Sequence, residues 1–208
     1  MRNCIFLLLC LLTLSCGAQT IPLLDSNRVI SGVYKADLNN QLDQYTGNWL
    51  YEDGSEYINF ELIKLVNTPF GSGNRDLIVG QIATGAGSLA AGTELFSTGS
   101  IVPISPGNPL SEDYTITAIN LLSNPKRRLA TRASCAGCTW DGTQLSGYLE
   151  IAREVEDGWT HRDNVMFYMV TFTENGVDKA AIWIKRNYIN LPTSWHVDSG
   201  IYVFERQP

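Results

Sequence analysis

Histidine, cysteine and long apolar runs are the scarce features of this chain. Of 208 residues two are histidines, His161 and His196, and five are cysteines, of which Cys4, Cys10 and Cys16 fall in the first sixteen positions. Only Cys135 and Cys138 remain beyond them, and two histidines distant in sequence do not complete a finger-like ligand set, so no metal is expected. The longest apolar run, Ile5 to Leu14, is about half of what a helix needs to cross a bilayer. Basic side chains are outnumbered by acidic ones, 15 to 21, and the resulting charge of −6 disfavours nucleic acid as a partner. There is no Gly-x-Ser-x-Gly elbow. The glycine-rich stretch Gly85 to Gly92 lacks the Gly-Lys-Ser/Thr ending of a phosphate loop, so it reads as a connection between strands and no cofactor is expected.

What is present begins at the N-terminus. Arg2, the apolar run and the closing Thr13-Leu14-Ser15 form an export signal over residues 1–15. The sequence Leu14-Ser15-Cys16-Gly17 resembles a bacterial lipobox. That resemblance implies cleavage before Cys16 and a diacylglyceryl anchor on its sulfur. In the lipoproteins it resembles, acidic residues just after the cysteine direct inner-membrane retention or surface export, and here none occurs before Asp25. The implied location is the outer membrane, with the domain facing the periplasm and surface exposure left open. Cleavage after Ala18 is the alternative, and it would release a secreted protein. The expected organisation is an anchor and tether over 16–36 followed by one domain over 37–208.

In an oxidising compartment Cys135 and Cys138 are expected to form a disulfide. The same spacing occurs in redox sites, which place the first thiolate at a helix N-terminus. Here Thr139-Trp140-Asp141-Gly142 follows, a turn signal without helical periodicity, so a loop staple is the expected role.

Most of the chain carries strand signals. Asn175-Gly176 lies between Val165–Phe172 and Ala180–Ile184, and Asp53-Gly54 lies between Trp49–Tyr51 and Tyr57–Leu65, giving two hairpins. Further strands are expected at Leu77–Ala83, Ile101–Ile104, Tyr114–Leu122, Arg128–Ala133, Leu145–Arg153 and Ile201–Glu205. Asp37 to Tyr45 is the one helical candidate. In the strand around Trp183, apolar groups at both parities require a core on one side and a second covered surface on the other. Eight to ten short strands predict an all-β fold, an antiparallel up-and-down barrel, with a β-sandwich as the alternative.

Tyr45-Thr46-Gly47-Asn48-Trp49 resembles the aromatic-x-Gly-x-Trp opening of the lipocalin and fatty-acid-binding-protein superfamily. The resemblance implies that Trp49 shuts one end of the barrel and that a basic residue late in the last strand packs across its ring. Arg206 stands at that place, and a guanidinium over an indole is worth about 0.5–2 kcal/mol. The whole chain also resembles an uncharacterised family of short secreted Bacteroidota lipoproteins, which implies a shape and no activity.

Candidate polar sites are few. His161-x-Asp163 and His196-x-Asp198 each place an imidazole and a carboxylate on one face of an extended segment, the second beside Ser199, but no third element completes a triad. Glu52, Asp53, Glu56, Glu150, Glu154 and Glu156 fit an acidic surface. Lys126, Arg127, Arg128 and Arg132 are expected on a solvated hairpin strand. The functions these features leave standing are binding of a small apolar ligand in the barrel, or contact with an envelope protein or glycan through surface tryptophans such as Trp140 and Trp195. An enzyme is not expected.

Overall fold

The computed structural model describes residues 19–25, 30–97, 116–154, 160–185 and 197–208, with only the strand backbone given for residues 150–154 and 160–164. In chain order the strands are β1 (Gln19–Pro22), β2 (Val33–Ala36), β3 (Gly47–Glu52), β4 (Glu56–Phe70), β5 (Gly73–Ala86), β6 (Thr93–Ser97), β7 (Ile116–Leu122), β8 (Cys138–Thr139), β9 (Gln144–Glu154), β10 (Thr160–Glu174), β11 (Val177–Lys185) and β12 (Gly200–Gln207). A 3-10 turn spans Asp43–Tyr45, and the helix α1 spans Arg127–Ala133. The strand expected at Ile101–Ile104, together with Cys16, His196 and Trp195, lies outside the described residues.

Strands β3, β4, β5, β7, β9, β10, β11 and β12 pair in that order, each antiparallel to the next. The ring shuts where β12 returns to β3, through Glu205↔Leu50, Arg206↔Trp49 and Gln207↔Asn48. It is a closed up-and-down barrel of lipocalin-like form, and its closure rules out the β-sandwich. Closure pairs both edges that an open sheet would leave exposed.

Local chemistry sets the turns. Asn175 and Gly176 both adopt positive φ, 53° and 81°, as a two-residue hairpin of matching twist requires, so Glu174 pairs with Val177. Between β3 and β4 the Asp53 carboxylate accepts the backbone N–H groups of Ser55 and Glu56 at 2.9 and 3.0 Å. Those bonds, led by the Ser55 hydroxyl, hold its pKa down to about 2.

Side chains of one parity fill the barrel. Trp49, Phe60, Phe167 and Phe204 are fully buried, with Phe60 5.3 Å from Phe204 and 6.2 Å from Phe167, ring centre to ring centre. Ile58, Leu62, Ile82, Leu145, Leu149, Met169 and Ile182 belong to the same core. Each buried side chain of this size contributes about 1.5–3 kcal/mol.

The opposite parity on β10 and β11 has its own cover. Arg128–Ala133 is not a strand, because Leu129 and Ala133, one helical turn apart, bury fully against Val170, Phe172 and Ala181. The flanking cations lie over aromatic rings, Arg128 5.9 Å from the centre of Trp183 and Lys126 5.3 Å from that of Tyr168. The expected helix at Asp37–Tyr45 reduces to the three-residue 3-10 turn. Upstream, the segment expected to be a tether contributes sheet. β1 pairs in parallel with β2, and β2 pairs in parallel with the start of β5 through Tyr34↔Asn74 and Lys35↔Arg75.

Candidate ligand cleft at the closed end of the barrel

The 3-10 turn leads into β3 and places two aromatic plugs under the barrel. Tyr45 and Trp49 are fully buried, and the indole N–H of Trp49 donates to the Tyr45 carbonyl at 3.0 Å. The Tyr45 hydroxyl meets Thr143 Oγ1 at 2.8 Å, and burial raises its pKa far above the usual phenol range. The guanidinium of Arg206 lies 5.4 Å from the Trp49 ring centre. It donates to the Thr46 carbonyl at 2.6 Å and pairs with Asp178 at 3.6 Å. Gly47 makes this seat available: its φ is +106°, and a Cβ there would stand 3.2 Å from Arg206 Nε. Gly47, Trp49 and Arg206 therefore meet in one contact.

Around that contact, at the end of the barrel, is a cleft of about 370 Å³ lined by inward-parity residues of the last turn (Trp49, Thr171, Asp178, Arg206) and by groups beyond the rim, within the range of small-ligand sites. Trp140 and Phe172 give it an apolar wall; Asp141, Thr173, Asp178 and Lys179 give it polar groups. These groups hold one another. Asp141 accepts the Thr143 N–H at 2.8 Å and the Gln44 amide at 2.6 Å, while Gln44 Oε1 accepts from Thr171 at 2.6 Å. Thr173 donates to Asp178 at 2.9 Å. Lys179 pairs with Glu174 at 2.9 Å and Glu205 at 3.4 Å, and the Glu174 hydrogen bond is the main reason that its pKa is raised.

The cysteine pair positions one wall of this cleft. Cys135 and Cys138 are joined, with Cα atoms 5.1 Å apart, and Cys138–Thr139 pairs with Thr173–Glu174 of β10. Trp140 and Asp141 follow directly. Cys135 lies just past the C-terminus of α1, with its sulfur 3.3 Å from a Glu174 carboxylate oxygen. Both neighbours disfavour a thiolate, the reverse of what a redox cysteine needs. Donor atoms of Cys135, Cys138 and Glu174 lie within 4.8 Å of one another, but the S–S bond engages both sulfurs. Replacing both cysteines with serine should lower stability by about 2 kcal/mol, from the short loop closed. Urea unfolding checks this, and far-UV circular dichroism should show the barrel intact.

The described members of the two histidine pairs are elsewhere. His161 and Asp163 lie at the end of β10 remote from Glu174, with backbone register to Arg153 and Ile151. Asp198 precedes β12, at the end remote from Arg206, where its carbonyl accepts the Tyr202 hydroxyl at 3.0 Å. Glu52 accepts the Leu89 N–H at 2.6 Å and so ties the β5–β6 connection to the barrel. Sequence reasoning reached the closure contact but passed over Gln44, Thr171 and Asp178. Thr139-Trp140-Asp141-Gly142 offered only a turn signal.

No curated protein and no solved structure matches the chain. Residues 1–84, running from the N-terminus through most of β5, match the model of a family of unknown function (DUF6705), in keeping with an uncharacterised family.

Proposed function

We propose that this protein is a lipid-anchored binding module of the cell envelope, with its ligand held in the cleft over the closed end and not inside the barrel. The lipobox-like Leu14-Ser15-Cys16-Gly17 supports the anchor. Only Gly17 and Ala18 separate Cys16 from β1, so an anchored domain sits close to its bilayer, on the periplasmic face of the outer membrane by the reading of the residues after Cys16. The observation that carries the placement of the ligand is the contrast between the two spaces. The described interior is occupied by the protein's own side chains from Trp49 to Ile184, whereas the cleft combines an aromatic wall with fixed polar groups.

Two measurements test this. Labelling cells with a clickable palmitate analogue should mark the wild type and leave Cys16→Ala unmarked; an unlabelled wild type would remove the anchor. The folded domain should take up no stoichiometric amount of an apolar, environment-sensitive dye. One-to-one uptake unaffected by Trp140→Ala would move the ligand into the barrel and overturn the cleft.

A further inference from the structure

We infer that the ligand of this cleft is a neutral saccharide, an inference that rests on the cleft being the binding site. Charge is the first argument. The Lys179 ammonium lies between the carboxylates of Glu174 and Glu205, and the Arg206 guanidinium is engaged by Asp178 and the Thr46 carbonyl. Both cations are already compensated, so an anionic ligand gains little here and meets Asp141 and Asp178 as well. A fully apolar ligand would strip water from the carboxylates and hydroxyls while offering them no hydrogen bonds, which costs about 1–3 kcal/mol per group.

Hydroxyl groups suit the same surroundings. An ionised carboxylate has about four acceptor sites, and Asp178 uses one for the Thr173 hydroxyl while facing Arg206, leaving capacity for ligand O–H donors. Thr139 adds a hydroxyl that both donates and accepts, and the Thr173 hydroxyl, its proton given to Asp178, still accepts. Beside them Trp140 is half-buried, packed on the outer cluster of α1, β10 and β11 while lining the cleft. A sugar ring has an apolar C–H face for the electron-rich face of the indole and a rim of hydroxyls for the polar groups. Because Asp141 and Gln44 are held by their own partners, the site is ordered before binding.

The test is a titration of the mature chain with a panel of neutral di- to tetrasaccharides, alongside uronate-containing oligosaccharides of equal length, followed by tryptophan fluorescence and by NMR. Neutral members are expected to bind, Trp140→Ala to weaken them at least tenfold, and Trp140→Phe to recover part of the loss, with each variant melting as a folded barrel. Silence across the neutral panel, or binding confined to the uronates and lost in Trp140→Ala, would overturn the neutral-saccharide assignment; in the second case the cleft would still stand. Neutral binding indifferent to Trp140→Ala would instead overturn the cleft.

Discussion

Replacing Trp49 with alanine is expected to lower the unfolding free energy by about 3–5 kcal/mol, a large part of the stability of a domain of this size. Three losses coincide there. The fully buried indole leaves a cavity between Tyr45 and the barrel core. The Tyr45 carbonyl loses its 3.0 Å hydrogen bond. Arg206 loses the ring under its guanidinium, though its bond to Thr46 and its pairing with Asp178 remain. Urea unfolding followed by far-UV circular dichroism measures the loss. Trp49→Phe keeps an aromatic plug without the N–H and should recover more than half of it. A loss below about 1 kcal/mol for Trp49→Ala would mean that the closed end is not packed as described.

The second large effect is expected at Asp76, which is 4% exposed. Its carboxylate accepts the Tyr34 hydroxyl at 2.6 Å and the backbone N–H groups of Asp37 and Asn67, both at 2.8 Å. Asp37 in turn accepts the N–H groups of Gln41 and Leu42 and the Lys64 ammonium, each at 2.8 Å. This chain of bonds joins β2 to the 3-10 turn and to the bulge in β4 where Asn67 takes φ 54°. Asp76→Ala orphans three donors and should cost about 3 kcal/mol or more. A second readout is the Tyr34 phenol. Burial, followed by the hydrogen bond to Asp76, raises its pKa from 10.0 to about 12. The unfolded chain releases that proton first, so the contribution is complete below pH 10 and is lost as pH rises through about 12. In Asp76→Ala the ultraviolet titration of Tyr34 should move down toward its ordinary value. An unmoved titration with unchanged stability would contradict the network.

How much of this was legible in the sequence follows from how local each signal is. The Asn175-Gly176 hairpin was readable because two positive φ angles demand those residue types side by side. The closure contact was readable because Gly47 and Trp49 lie together at the start of the first barrel strand and Arg206 lies next to the end of the last. Parity around Trp183 announced a second covered face, but its cover was misread. α1 buries only Leu129 and Ala133, too few positions to separate helical from extended spacing among arginines. β1 and β2, with four residues each, are too short to show alternation and passed as tether. The cleft left no local trace at all. Asp141, Thr171 and Asp178 are gathered by the loop after β8 and the β10–β11 hairpin, and barrel closure brings Gln44 of the 3-10 turn to them.

Closure at the seam of first and last barrel strands underlies the plug, the guanidinium seat and the cleft alike, and NMR tests it most directly. Cross-strand NOEs are expected between Leu50 and Glu205 and between Trp49 and Arg206, with the Arg206 side-chain protons shifted upfield by the indole. Their absence from a folded, well-dispersed spectrum, with both strand edges exchanging freely with solvent, would show the sheet open and contradict the account.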